Sequence, residues 1–204
     1  MITVLSSNCL HSVFAATRLI AVTVLLFIAG FAPSHAQPFS RADATPALDT
    51  RDIPAQTLFN QAVSMEQESL EKAVPMYEQV MQRYGRASSP GSRQFAARAL
   101  LNKAGLLGEQ GNLRDAITTY ERIERNFGNE RSPTIREVLA SAIVSKAEAF
   151  YKQDNADKTL ATYAQLEQQF ASDENEFIKR LIDITKWRVA EIRLNNPETA
   201  LSSR

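Results

Sequence analysis

Cysteine and histidine are nearly absent from this chain. Its 204 residues hold one Cys and two His, and Cys9, His11 and His35 all stand before residue 37. From Gln37 onward the chain has no thiol nucleophile, no soft metal ligand and no side chain that ordinarily titrates near neutrality. It has no disulfide framework either, so stability must come from packing. A domain of ~150 residues can supply that, burying ~70% of its unfolded surface. A G-x-S-x-G elbow, a P-loop and a Gly-rich nucleotide fingerprint are missing too. Excess charge of either sign is also lacking, with 23 basic and 23 acidic residues. That balance argues against a nucleic-acid partner, which needs a strongly basic surface. No cofactor, no metal and no enzymatic activity are expected.

Charge is scarcest at the N-terminus, where Arg18 is the only charged residue among the first 36. An apolar run, Leu19 to Ala32, comes next, and Ser34 and Ala36 then place small residues before Gln37. Positive flank, apolar core and small-residue cleavage site are the parts of a secretory signal, expected to be cut after Ala36. The run is short of the ~20 apolar residues of a membrane span. An uncleaved membrane anchor is the alternative. Cys9 precedes the apolar core, whereas a lipid-anchored cysteine would come after it. Residues 37–53 mix Pro, Asp, Ser and Thr and read as a flexible linker. The folded domain is expected over 54–204. Removing residues 1–36 takes the formal net charge from 0 to −1, because only Arg18 is lost.

What the remainder has is a repeat. "LEKAVPMYEQVMQRYG", "LRDAITTYERIERNFG" and "ADKTLATYAQLEQQFA" begin at Leu70, Leu113 and Ala156, 43 residues apart. Tyr77, Tyr120 and Tyr163 align, as do Val80, Ile123 and Leu166, and then Tyr84, Phe127 and Phe170. The spacing puts them on one helical face. The preceding helix repeats as well: Ala104 matches Ala147, Leu107 matches Phe150, and Lys103 matches Lys146. Ser89-Pro90 and Ser132-Pro133 predict capping serines before a first-turn proline. Asp173 and Glu176 predict a capping box. Pro75 predicts a kink or late start. The unit is therefore helix A, turn, helix B and loop. About three pairs and a closing helix, 174–195, are expected, because stacked pairs bury a core that one pair cannot. Lys186 and Arg193 stand where earlier A helices are apolar, as a terminal cap requires.

The stretch "AGLLGEQGNLRDAITTYERI" resembles the tetratricopeptide repeat, through Ala104, Leu107, Gly111, Leu113, Ala116 and Tyr120. Ala147, Phe150, Ala156 and Tyr163 continue the pattern, while Asp154 and Thr159 depart from it. The family's unit is ~34 residues, and HEAT-like or armadillo-like units of ~40–47 are nearer in length. The turn "EQGNLRDAI" favours the tetratricopeptide-like reading. The resemblance implies an all-α fold, a right-handed α-α superhelix with a groove for a protein or peptide.

Within that frame Tyr77, Ala104, Leu107, Ala116, Tyr120, Ala147, Phe150 and Tyr163 are expected to form the repeat core. Asn102, Lys103, Ser145 and Lys146 recur on the A helices and are candidates for contact with an acidic partner. Asp173, Glu174 and Glu176 are the best acidic cluster for a carboxylate-based cell-wall hydrolase, the enzymatic alternative; a helix start stabilising its own N–H groups is the plainer account. Arg122, Arg125, Arg131 and Arg136 have Glu121, Glu124, Glu130 and Glu137 close in sequence, reading as a mixed, salt-laced surface. Trp187 is expected in the core. The function expected is an exported scaffold or adaptor of the bacterial envelope, with self-association possible and membrane contact only if the signal is retained.

Overall fold

Apolar stripes at helical spacing must be buried against one another, and that requirement fixes the architecture. The computed structural model describes residues 52–195, and every regular element among them is a helix. The signal-like segment, the linker up to residue 51 and residues 196–204 lie outside the described residues. In chain order the helices are α1 (Ile53–Glu68), α2 (Leu70–Tyr84), α3 (Pro90–Glu109), α4 (Leu113–Phe127), α5 (Pro133–Tyr151), α6 (Ala156–Phe170) and α7 (Glu176–Asn195). Each packs on the next in sequence. In addition α1 packs on α3, α3 on α5 and α5 on α7, whereas α2, α4 and α6 keep their backbones farther apart and meet through long side chains. The odd-numbered helices are thus the closer-spaced layer of a two-layer helical solenoid.

Local chemistry sets the boundaries. Prolines open α1, α3 and α5, where a missing N–H leaves no bond unmade. The turn from α3 to α4 uses Gly111 at φ 79, and Asn112 N–H closes it by donating to Leu107 O at 2.9 Å. The turn from α5 to α6 copies it with Asp154 at φ 55 and Asn155 N–H on Phe150 O at 3.1 Å. Both are Schellman-type ends, so the departure at Asp154 changes the residue and not the turn. Pro75 is the sixth residue of α2, which nevertheless starts at Leu70. Pro75 and Glu71 are not buried, so water can take the carbonyl that the proline leaves free.

Three local expectations need correction. The Ser89 and Ser132 side chains do not cap their own helices. Ser89 donates instead to Asp52, as Ser92 does at 2.7 Å, and Ser132 accepts from Gln94 Nε2 at 3.0 Å. A buried aspartate is thereby held over the start of α3, where the helix dipole favours it. Gly91 sits so close to that carboxylate that any Cβ would collide with it. At α7 the cap is Asn175, whose Oδ1 accepts from Phe177 N–H at 2.9 Å, and not Asp173 with Glu176. Trp187 is not in the core: it is 83% exposed. Its side of α7 has no helix of the described chain to pack against.

The core forms three clusters along the seam between layers, the central one joined to the first through half-buried Tyr84 and to the last through half-buried Val144. Leu100, Ile123, Phe127, Ile135, Leu139, Ile143, Leu166 and Phe170 are all fully enclosed. At the first pair Phe59 meets Tyr77 and Phe95 with ring centroids 5.9 and 5.7 Å apart. Tyr120 is 5% exposed. Tyr120→Ala should therefore cost ~3–5 kcal/mol in denaturant melts; a variant as stable as the parent would contradict its place in the core. Asp154→Gly should stabilise by roughly 0.5–1 kcal/mol in the same measurement, because glycine enters the left-handed region without a steric penalty.

Candidate functional site

A buried phenol must find a hydrogen-bond partner, and each of α2, α4 and α6 carries one. Asn102 Nδ2 on α3 donates to Tyr77 Oη on α2 at 3.1 Å, and that hydroxyl donates on to Glu66 of α1. One unit along, the Tyr120 hydroxyl of α4 meets Ser145 of α5, and burial pushes its pKa up to about 12. One further, the Tyr163 hydroxyl of α6 donates to Glu148 of α5 and meets Arg188 of α7. The three tyrosines each reach the next odd-numbered helix, at Asn102, Ser145 and Arg188.

The neighbouring lysines are engaged in the same way. Lys103 Nζ lies 2.7 Å from Glu78 of α2, and Arg122 of α4 clasps the same carboxylate with two bonds of 2.8 Å. Lys146, only 7% exposed, pairs with Glu124 of α4, and Gln165 of α6 donates to that carboxylate at 2.7 Å. So Asn102, Lys103, Ser145 and Lys146 do come together along one layer, but each is turned toward a group of its own chain. Each of the two lysines is paired with a carboxylate of its own chain. Of the other sequence-derived positions, Tyr77, Ala104, Leu107, Ala116, Ala147 and Tyr163 are buried, while Phe150 is half-buried with Lys158 5.3 Å above its ring.

A third set of bridges joins the start of each odd helix to the loop before the next. Arg93 pairs with Glu130 and Arg136 with Asp173. Gln94 holds Ser132, and Glu137 accepts from Asn175 at 2.8 Å. Arg136 also lies 4.9 Å over the Phe170 ring. The salt-laced surface expected from sequence therefore needs revision: Arg125 pairs within its helix, with Glu121 at 3.9 Å, but Arg122 and Arg136 bind across units. The acidic trio separates, Asp173 to Arg136 and Glu174 with Glu176 to Lys179. Among the described residues no group of three His, Cys, Asp or Glu could hold a metal.

Sequence reasoning missed Glu78 and Gln165, and it put Arg122 and Glu124 on a mixed surface instead of at these nodes. The lysines repeat at 43 residues, but Glu78 and Glu124 are 46 apart, one helical turn out of register, so an alignment of the copies does not pair them. Two open hollows among the described residues lie at the ends of the array. A cleft of about 530 Å³ on the first pair is lined by Thr57, Asn60, Gln61, Ser64, Met65, Glu68 and Met76. Another of about 310 Å³ lies between α6 and α7, beside Glu167, Lys186 and Arg193.

The Glu78 node has a pH signature. The Arg122 guanidinium, with help from Lys103, holds the Glu78 carboxyl down to about 2, below its ordinary value of 4.5. Its contribution to stability is thus present above pH 4.5 and is lost as pH falls through about 2. Glu78→Gln should lower stability at neutral pH and flatten its fall between those limits, read from urea melts at about pH 7, 4 and 3. An acid limb identical to the parent's would count against the clasp.

Comparison with known proteins gives a local match. Residues 98–129 match the family model of the tetratricopeptide repeat. No curated protein and no solved structure matches the chain significantly. The matched stretch takes in the C-terminal part of α3, the Gly111 turn and α4; the start of α3 and the Pro133 loop lie outside it. This chain carries a tetratricopeptide-like repeat, flanked on both sides by helices stacked in the same alternating order.

Proposed function

We propose that this protein is an exported, non-enzymatic scaffold that binds a protein or peptide in the bacterial cell envelope. The observation that carries the reading is the tetratricopeptide-like unit at 98–129 set in an array of helix pairs. Such a unit suggests a protein-binding scaffold. The polar bridges between units support it physically, because a surface held in one shape loses little entropy on binding. Export is supported by the apolar core from Leu19 to Ala32 and the small-residue site before Gln37.

A partner segment fits best at the open cleft on α1 and α2. Its Thr, Asn, Gln and Ser lining can take backbone groups of an extended chain. Met65 and Met76 are adaptable apolar contacts. Asn102, Lys103, Ser145 and Lys146 would then act on binding indirectly, by fixing the angle between units.

Two measurements test this. N-terminal sequencing of the protein recovered from the envelope should find Gln37 as the first residue. A retained Met1 would make the chain a membrane-anchored subunit instead. A photo-crosslinker at exposed Gln61 should capture a discrete partner in cells, and one at exposed Asn126, on the opposite layer, should not. Equal or absent capture at the two positions would remove the cleft as the binding surface.

A further inference from the structure

The first helix ends on the wrong charge. α1 contains no basic residue, and both of its acids, Glu66 and Glu68, stand in the last turn. The free carbonyls at that end of a helix already present partial negative charge, so a cation is favoured there and a carboxylate works against the dipole. α2, α4 and α7 each carry an arginine in the same turn, and Glu148 in the last turn of α5 is answered by Arg188. Glu109 ends α3 with an acid too, but it does not line the α1–α2 cleft. Of the two acids of α1, Glu66 accepts from the Tyr77 hydroxyl. Glu68 makes no hydrogen bond or ion pair among the described residues. Lys72, the basic residue nearest to it in sequence, is exposed on α2 and is not part of the cleft wall.

Glu68 is also the one charged side chain that lines the cleft, at the far end of its α1 wall from Thr57. That wall is ~16 Å long at 1.5 Å per residue, a length that about five residues of an extended chain cover. Met65 lies one turn before Glu68, and Met76 joins it from α2. In an extended chain the side chains of one side recur every ~6.7 Å, so one seated on the methionines places the next but one beside Glu68. We propose that the cleft takes an extended segment of a partner protein that carries a lysine or arginine two residues from an apolar side chain. The apolar group sits on Met65 and Met76, and the cation meets Glu68 and the carbonyl end of α1. The proposal rests on the cleft being the partner's seat and adds the chemistry of what sits there. An acidic segment would bring more negative charge to a place that already has too much. A wholly apolar one would take water from Glu68 and offer no partner in return. A cation instead relieves a conflict that the free protein carries.

The chain has four methionines, Met1, Met65, Met76 and Met81, and Met81 is buried in the core outside the cleft. Methyl resonances of methionine-labelled protein therefore report on the cleft with an internal reference. Protein purified from cells expressing the full chain is titrated with two end-blocked peptides, Ser-Leu-Ser-Lys-Ser and Ser-Leu-Ser-Glu-Ser. The lysine peptide should shift the Met65 and Met76 signals, leave that of Met81, and bind about three- to tenfold more tightly than the glutamate peptide at low salt. Glu68→Lys should reverse that preference. It should also raise the melting temperature by ~1–3 °C, because it puts a cation where the α1 dipole favours one. A reversal in a protein at least as stable as the parent separates a changed site from a damaged fold. Equal shifts with both peptides, or a preference that survives Glu68→Lys, overturn the cationic occupant and leave the cleft as the seat of a different segment. If neither peptide moves the Met65 and Met76 signals, the proposal falls together with the cleft itself.

Discussion

A tyrosine hydroxyl buried between helices cannot be left without a partner, and that constraint sets how the units stack. Tyr77, Tyr120 and Tyr163 bury their rings in the seam and carry a polar tip into it. The tip is met from the next odd-numbered helix, at Asn102, Ser145 and Arg188. Sliding a helix by one turn would leave a phenol unpaired at a cost of ~1–3 kcal/mol for each lost partner. Apolar packing alone tolerates such slips, because one apolar face fits another in several registers. The hydroxyls select one. The Glu78 and Glu124 nodes then add a second fixed point beside each of the first two inter-unit seams, joining three helices through a single carboxylate.

Lys103, Arg93, Arg136 and Lys146 of the odd-numbered layer are committed to holding units together, and open hollows lie at the ends of the array. The two ends differ in chemistry. The α1–α2 cleft combines Thr, Asn, Gln and Ser side chains with two methionines and Glu68. The α7 face mixes exposed charges with the exposed large apolar side chains Ile184, Trp187 and Leu194.

Most of the fold was legible because it depends on spacing. The apolar positions that recur every 43 residues place α2, α4 and α6 on one interval, and their first residues are Leu70, Leu113 and Ala156. The turn at Asp154 was legible only as a departure, since an unfavourable residue can be forced into a left-handed turn by the helices on either side. The polar bridges were not legible for two reasons. Ser89, Ser132 and Asp173 carry side chains that serve equally well as caps or as long-range partners, and the sequence does not say which. Lys103 and Lys146 repeat in register while their carboxylates do not, so a search for matched pairs passes over them. Long flexible side chains reach one turn up or down at little cost, and register does not bind them as it binds alanine or tyrosine.

In the closing helix, capping by a polar face is realised only in part. Lys186 and Arg193 replace Ile143 and Phe150 of the preceding odd helix, and both are solvent-exposed, as a cap demands. From sequence Trp187 belongs inside, because a single tryptophan in a helical array usually fills a core. Its place is instead that of Val144, on the flank where α5 meets its neighbours. Inward, α7 keeps the register of the array: Arg188 continues the tyrosine-binding position, packs 4.4 Å over the Tyr151 ring, and pairs with Glu148 at 3.5 Å. Outward it departs, but not toward the uniformly polar face that solvent would favour. A large exposed indole costs hydration free energy and aggregation risk on a free monomer.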